Sequence, residues 1–233
     1  MDGILLVDKP RGWTSFDVVA KVRGALRAAQ DQSQGSSKVK VGHTGTLDPL
    51  ATGLLVLLVG KATKRATELS KVDKTYEATL KLGFNSTTGD EEGVKTKVSD
   101  KKLNLEEIQK VLESFLGEIK QIPPAFSAVK VDGQRAYKLA RQGKEFKIEP
   151  RQVKIYSIAD VNHRYPYLNF TTKVSSGTYI RTLAEDIGKE LGTGAYLTNL
   201  KRTQVGQFYL QDAMTVDNIS AEEIYNNLRS WVC

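Results

Sequence analysis

The stretch that most constrains this chain runs from Gly42 to Gly53 and reads Gly-His-Thr-Gly-Thr-Leu-Asp-Pro-Leu-Ala-Thr-Gly. Its three glycines allow positive φ angles or a close approach to another group. Its one carboxylate is Asp48, and the proline that follows biases Asp48 towards an extended conformation. Residues 54–59 are all apolar, which is typical of a strand buried on both faces. The sequence therefore predicts that Asp48 lies on a stiff loop entering the core of a sheet, although an aspartate before proline is also common at structural turns.

The rest of the chain predicts strands and helices that interleave irregularly, without a repeat. Strands are expected at residues 4–7, 54–59, 74–82, 153–161 and 167–175, and a last strand after residue 197. Helices are expected at residues 15–27, 61–70, 104–116, 134–142, 179–191 and 221–232, with Ser15 and Asn104 as N-caps. Residues 28–38 are small and polar and predict a flexible loop, and residues 85–100 predict a glycine- and charge-rich loop. The 233 residues thus predict one α/β domain built on a mixed sheet.

Composition excludes several classes of site. The single cysteine, Cys233, rules out a disulfide within the chain and fits a reducing cytoplasm. One cysteine and two histidines cannot form a zinc cluster of the usual kind, and no carboxylates have the spacing of a calcium site. Gly53 and Gly60-Lys61 do not form a phosphate-binding loop, because the glycines are too far apart and Ala62 replaces the magnesium-binding Ser or Thr. No apolar run is long enough to span a membrane, and the N-terminus does not resemble a signal peptide.

The positive charge of the chain is concentrated in one segment. The net charge is +7, and residues 120–154 contain nine Lys or Arg against three Asp or Glu. We call residues 120–154 the basic segment. A concentrated excess of this kind predicts a polyanion partner, while a solvated lysine-rich surface is the simpler alternative.

The motif around Asp48 resembles the signature of the TruB family, the tRNA pseudouridine-55 synthases. The resemblance extends over roughly residues 2–210 and includes Asp8-Lys9-Pro10 with Gly12, Thr14 and Ser15, then Lys74-Thr75-Tyr76, and Ser176 to Thr182. It implies the pseudouridine synthase fold, an α/β fold in which helices flank a mixed central sheet, with the basic segment as an RNA-gripping insertion. We expect one catalytic domain over residues 1–233. The roughly 25 residues after Phe208 are too few for the RNA-binding barrel that many members carry.

The resemblance also implies a reaction and its main catalytic group. Uridine becomes pseudouridine when the N-glycosidic bond breaks, the base turns and carbon 5 rejoins the sugar. In the family the acid of this motif is the nucleophile, which here is Asp48. Arg181 matches the arginine that pairs with that acid, and such a cation keeps a carboxylate ionised in a dry pocket. Without the resemblance, the sequence would be equally consistent with Arg181 as a surface arginine on a helix.

Four further residues match the family's substrate-binding positions. Tyr76 matches the tyrosine that stacks on the target base, and Tyr179 and Leu200 match residues that line the uridine pocket. His43 matches a residue that occupies the space left by the everted nucleotide. Ordinary core packing, or for His43 a hydrogen-bonded turn, would explain each of these residue types without the resemblance.

The expected substrate is the T-arm of tRNA, and we expect neither a metal nor another cofactor. We also expect a cytoplasmic monomer that has no obligate protein partner and no membrane association. One alternative is an RNA-guided pseudouridine synthase, although the lack of room for a barrel argues against it. Others are a non-catalytic tRNA-binding chaperone, which would use the same basic segment, and a basic α/β domain without an RNA partner.

Overall fold

A computed structural model of the chain describes residues 2–30 and 39–230. In this part of the chain the strands are β1 (Gly3–Lys9), β2 (Val41–His43), β3 (Thr52–Val59), β4 (Lys74–Leu82), β5 (Phe84–Ser86), β6 (Lys95–Lys97), β7 (Gly117–Gln121), β8 (Lys130–Val131), β9 (Gln134–Arg135), β10 (Arg151–Arg164), β11 (Tyr167–Val174), β12 (Ala195–Val205), β13 (Phe208–Tyr209) and β14 (Met214–Thr215). The helices are α1 (Ser15–Gln30), α2 (Ala66–Ser70), α3 (Leu105–Ser114), α4 (Ala136–Arg141), α5 (Ile180–Glu190) and α6 (Ala221–Asn227). Short 3-10 helices occupy Gly60–Arg65, Leu210–Asp212 and Val216–Asn218.

The chain divides into two units, of which the first contains Met1–Tyr76 and Leu200–Cys233. Its central strand is β3, which is antiparallel to β1 along the whole of β1 and parallel to β12. β14 pairs with β1 in parallel, and β13 is antiparallel to β12, so this sheet is mixed.

Both faces of the β1–β3 pair are buried in the first unit. Leu55 and Leu57 pack on one face in a cluster that includes residues of α1, and Leu54 and Val56 pack on the other in a cluster that includes Leu69 of α2. Because each face meets its own apolar layer, every residue of the run 54–59 is buried. The prediction of a doubly buried strand after the Asp48 motif is therefore confirmed.

The second unit contains Glu77–Asn199. In its sheet β4, β11, β10 and β7 are neighbours in that order, and β10 is antiparallel to both β11 and β7. The β5–β6 and β8–β9 pairs form separate two-stranded sheets. Helix α3 packs against β10 and contacts α5. The chain passes between the units within β4 and within β12.

The structure confirms the predicted mixed α/β class and most of the predicted elements. β4 has the predicted bounds, β10 and β11 pair as expected, and α5 begins directly after Tyr179. Asn104 caps α3 in a capping box, since its side chain accepts from the amide of Glu107 at 2.8 Å and its own amide donates to the Glu107 carboxylate at 2.9 Å. The single catalytic domain over residues 1–233 stays a prediction.

Several predicted boundaries were wrong. The N-cap of α1 is Thr14: its hydroxyl accepts from the amide of Asp17, and Asp17 accepts from the amide of Thr14. Helix α3 ends at Ser114, before Phe115 and Leu116, and residues 28–30 continue α1. The region 85–100 contains the β5–β6 hairpin, and β13 and β14 follow β12, which is not the last strand.

Two expectations fall partly on residues that are not described. The predicted flexible loop lies, from residue 31 to residue 38, outside the described residues, as do residues 231 and 232 of the predicted helix 221–232. That helix was also predicted too long, because α6 ends at Asn227 and residues 228–230 are not helical. No helix in the described ranges has both the length and the apolar character that a membrane crossing requires.

Candidate active site

The loop that bears Asp48 connects β2 to β3 and is anchored to the N-terminal segment of the first unit. The Leu47 amide donates to the Ser15 hydroxyl oxygen at 2.8 Å, and this hydroxyl donates to the Leu47 carbonyl at 3.1 Å. The amide of Gly12 donates to the Pro49 carbonyl at 2.7 Å. Leu47 and Pro49 are thus both held directly, one on each side of Asp48. The side chain of Asp48 is half-buried, which leaves it open to a reacting group.

Lys9 lies close enough to Asp48 for their charges to interact, although the sequence predicts no catalytic role for it. Its side chain is fully buried, and its ammonium donates to the carbonyls of Pro10 at 2.9 Å and Trp13 at 2.7 Å. Burial lowers the pKa of Lys9 to about 8, and the negative charge of Asp48 opposes that shift. In the sequence, the position of Lys9 between an apolar run and a proline is unusual for a lysine. No local pattern, however, links Lys9 to Asp48.

His43, Tyr76 and Leu200 also belong to the first unit. His43 ends β2 opposite Leu57, and its Nδ1 is buried without a hydrogen-bond partner among the residues described. Burial lowers the pKa of His43, and the positive charge of Arg202 lowers it further, so the neutral imidazole is favoured. The side chains of Tyr76, on β4, and Leu200, on β12, are buried.

Tyr179 and Arg181 lie at the start of α5 in the second unit. Tyr179 is fixed by two backbone hydrogen bonds to the side chain of Gln121: its amide donates to Oε1 at 2.8 Å, and its carbonyl accepts from Nε2 at 3.1 Å. Gln121 is itself buried at the end of β7. The first turn of α5 is therefore positioned by a strand 58 residues earlier in the chain.

Arg181 forms a buried ion pair that the sequence does not predict. Its Nη1 lies 3.6 Å from Oδ2 of Asp90, and both side chains are less than a tenth exposed. The guanidinium also donates to the carbonyls of Thr88 at 3.3 Å and Phe126 at 2.9 Å. The predicted pairing of Arg181 with Asp48 joins the two units and stays a prediction. The sequence predicts Asp90 in a loop, and no local pattern indicates its partner.

The basic segment lies entirely in the second unit, and its cationic side chains face solvent. All nine are exposed: Lys120, Lys130, Arg135, Lys138, Arg141, Lys144, Lys147, Arg151 and Lys154. Val129, Ala136 and Ile148 form a small apolar core beneath them, and Tyr179 packs against this core. The basic segment also supplies the Phe126 carbonyl that binds Arg181. It thus contacts two of the predicted site residues directly.

The first unit offers a half-buried carboxylate near a buried ammonium, and the second offers a buried guanidinium beside an exposed cationic surface. A carboxylate near a cation can act as a nucleophile without a cofactor. In residues 2–30 and 39–230, no group of three or more His, Cys, Asp or Glu is arranged to hold a metal ion.

Comparison with known proteins gives two family matches and many similar sequences. Residues 33–180 match the TruB family pseudouridylate synthase N-terminal domain, and residues 181–230 match the tRNA pseudouridylate synthase B C-terminal domain. The tRNA pseudouridine synthase B of Clostridium kluyveri is 45% identical over 96% of this chain and 74% of its own length. The protein of the same name from Chlorobaculum tepidum is 46% identical over 94% of this chain and 89% of its own length.

Solved structures give the same fold. A crystal structure of a Cbf5-Nop10-Gar1 complex matches with a TM-score of 0.71 and 30% identity, covering 96% of this chain and 55% of the other. A structure of an H/ACA RNP bound to a substrate RNA containing 2′-deoxyuridine matches with a TM-score of 0.68 and 26% identity, covering 96% and 54%. This chain spans little more than half the length of those chains. By its sequence and its fold, the chain belongs to the TruB family of pseudouridylate synthases.

Proposed function

We propose that this chain converts uridine to pseudouridine at position 55 in the T-loop of tRNA, with Asp48 as the nucleophile. The bond between N1 of the base and the sugar breaks, and a bond from carbon 5 to the same sugar carbon forms. Carbon 5 loses its proton and N1 gains one, so the product is an isomer of the substrate. No electron or group passes to a cofactor. The chain is therefore an isomerase that acts on tRNA uridine.

The observation that carries this proposal is the way in which the Asp48 loop is held. Hydrogen bonds fix Leu47 and Pro49 on either side of Asp48, while its carboxylate stays half-buried. A nucleophile that is held in place and partly shielded from water loses little entropy at the moment of reaction. Membership of the TruB family supports the same role, since residues 33–180, which match its N-terminal domain, include this loop.

The other predicted site residues receive complementary roles. Arg181 keeps the Asp48 carboxylate ionised, and its anchoring by Asp90 and two carbonyls supports a fixed guanidinium. Tyr76 stacks on the target base, and Tyr179 and Leu200 line the uridine pocket.

His43 occupies the space that the everted nucleotide leaves in the RNA. Its lowered pKa supports this role, because a neutral imidazole can stack among bases without a charge to hydrate.

The basic segment grips the phosphate backbone of the T-arm. Extrusion of the target uridine costs a few kcal/mol, and phosphate contacts supply binding free energy without reading the base sequence. The packing of Tyr179 on the core of this segment supports a direct link between RNA binding and the uridine pocket.

The RNA-guided alternative is less favoured by the comparisons. The relatives named tRNA pseudouridine synthase B are 41–46% identical to this chain, whereas the structures with Cbf5 or an H/ACA RNP are 26–30% identical. A tRNA substrate also supports a cytoplasmic location. We further propose that the enzyme acts as a monomer without a protein partner, which sedimentation of the active enzyme with and without tRNA would test.

Tritium release tests the proposed reaction and its position together. An unmodified tRNA transcript carrying tritium at carbon 5 of its uridines should lose label from one T-loop uridine and no other. The same transcript with cytidine at that position should release none, which serves as the control. Release from several loops, or none from either transcript, would contradict the proposal.

The proposed role of the basic segment predicts strong salt dependence. Each phosphate contact contributes a slope of about −0.7 to −0.9 in a plot of log affinity against log salt concentration. Lys138→Gln with Arg141→Gln removes two exposed cations from α4, so the magnitude of the slope should fall by about 1.4 to 1.8. Filter binding across a salt series measures this slope.

A matched pair of substitutions outside the basic segment separates the loss of phosphate contacts from the loss of net charge. Lys110→Gln with Lys189→Gln removes two exposed lysines from α3 and α5, and the slope should stay that of the unaltered enzyme. An affinity that does not change with salt, or equal losses from both pairs, would contradict the role of residues 120–154.

A further inference from the structure

Arg202 is a buried arginine on β12 whose side chain reaches the loop that bears Asp48. It is 2% exposed. Its Nε donates to the carbonyl of Leu54 at 2.8 Å, and its Nη2 donates to the carbonyl of Gly45 at 3.1 Å. Gly45 precedes Asp48 and Leu54 follows it. One planar guanidinium therefore joins the two ends of the loop, which a residue with a single donor could not do in the same geometry.

The backbone of Arg202 meets the loop as well. β12 runs parallel to β3, with Arg202 opposite Gly53. Gly53 has a φ of +96°, and a Cβ at this position would collide with the backbone nitrogen and carbonyl oxygen of Arg202. The exit of the loop into β3 thus lies directly against Arg202, which restricts the paths that the loop can take.

The charge of Arg202 is not neutralised by a direct partner. In the part of the chain that the structure describes, the hydrogen bonds of its guanidinium are to neutral carbonyls, and no carboxylate forms an ion pair with it. Its charge also lowers the pKa values of His43, Lys9 and Lys74, after the larger effect of burial in each case. A buried cation without a counter-charge is a poor way to stabilise a core, since an apolar side chain avoids the desolvation cost.

We propose that Arg202 is a positioning residue for Asp48. It holds residues 45–54 in the conformation that presents the carboxylate, and it is needed for the rate of the chemical step more than for RNA binding. This inference rests on the proposed role of Asp48 as the nucleophile. A residue that served only the stability of the first unit would leave the loop and the rate of the folded enzyme unchanged.

Two substitutions separate the effect of the two fixed hydrogen-bond donors of the Arg202 guanidinium from the effect of its charge. Arg202→Met removes both, and Arg202→Lys keeps the charge but cannot donate to Gly45 and Leu54 from two fixed nitrogens. Single-turnover pseudouridine formation at saturating tRNA should fall about 100-fold for Arg202→Met, the loss expected from a reacting group displaced by about 1 Å. For Arg202→Lys it should fall about 10-fold, because one of the two hydrogen bonds is lost. The Kd for tRNA should stay within about twofold in both.

Backbone amide exchange of the enzyme without RNA gives a readout that does not depend on activity. The amides of Leu47 and Ala51, bonded to Ser15 and to the Asp48 carbonyl, should exchange faster in Arg202→Met. The amides of β1 should keep the exchange rates of the unaltered chain. Arg229→Met is the matched control, because this exposed arginine of the first unit pairs with Asp212 and does not touch the loop.

Each possible outcome decides the proposal. An Arg202→Met enzyme that keeps its rate, or that loses rate without faster exchange in the loop, would overturn it. If Arg202→Met does not fold, full activity of Arg202→Lys would overturn it; failure of both to fold would assign Arg202 to stability alone and overturn it equally. Loss of rate with faster loop exchange would support it. The proposed function is tested separately by the unaltered enzyme, so the two failures can be distinguished.

Discussion

Asp48→Asn should abolish pseudouridine formation while tRNA binding survives. Asparagine has the same shape but no charge, so the loop held by Ser15 and Gly12 keeps its conformation and only the proposed nucleophile is lost. The single-turnover rate should fall by about 10⁴-fold or more, as when other enzymes lose the residue that forms their covalent intermediate. Tritium release measures the rate, and filter binding measures the Kd.

The control for this variant is Asp212→Asn, which alters an exposed aspartate of the same unit. Its rate should match that of the unaltered enzyme. A non-catalytic tRNA-binding chaperone predicts the opposite pattern, in which neither substitution changes any measured function. An Asp48→Asn enzyme that still releases tritium would remove Asp48 from the reaction and, with it, the mechanism proposed above.

Arg181→Met should reduce both the stability and the rate of the enzyme, for two different reasons. Stability falls because Asp90 is left as a buried carboxylate without its cation. Breaking such a pair costs about 3–5 kcal/mol, and the hydrogen bonds from Thr88 and Glu92 to Asp90 place the cost at the lower end. The rate should fall about 10²- to 10³-fold, because the proposed cationic partner of the Asp48 carboxylate is lost. Urea denaturation and tritium release measure the two effects.

The double variant Arg181→Met/Asp90→Asn separates these effects. Asparagine removes the unpaired charge, so most of the lost stability should return. The rate should stay low, because nothing replaces the guanidinium. Recovery of rate together with stability would show that Arg181 serves only the folding of the second unit. Another cation would then have to keep the Asp48 carboxylate ionised.

Where the sequence predicted a feature correctly, the physical cause was local. Every residue of the run 54–59 is apolar, so this strand is stable only when both of its faces are buried. Apolar clusters cover both faces of β3. The capping box of α3 depends on two residues three apart, so no distant contact can alter it readily. The alternation of apolar and polar residues in 74–82 likewise predicted the bounds of β4 correctly.

The errors and omissions have a different cause. Thr14 and Ser15 both carry a hydroxyl that could cap α1, and the choice was made by Leu47, 32 residues away, which binds the Ser15 hydroxyl and leaves Thr14 as the cap. The pairing of Arg181 with Asp90 brings together residues on different elements, as does the hydrogen bond from Arg202 to Gly45. No pattern within one element could reveal either contact.

By itself, the sequence determined the family, the mixed α/β class and the acid around which a mechanism can be built, because a long motif and its strand are contiguous in the chain. Only the tertiary structure decided which buried cations have partners and what those partners are. Desolvation makes an isolated charge costly, so each buried cation must find carbonyls or a carboxylate wherever the fold brings them. Those partners come from distant parts of the chain, and the fold alone brings them within hydrogen-bonding distance.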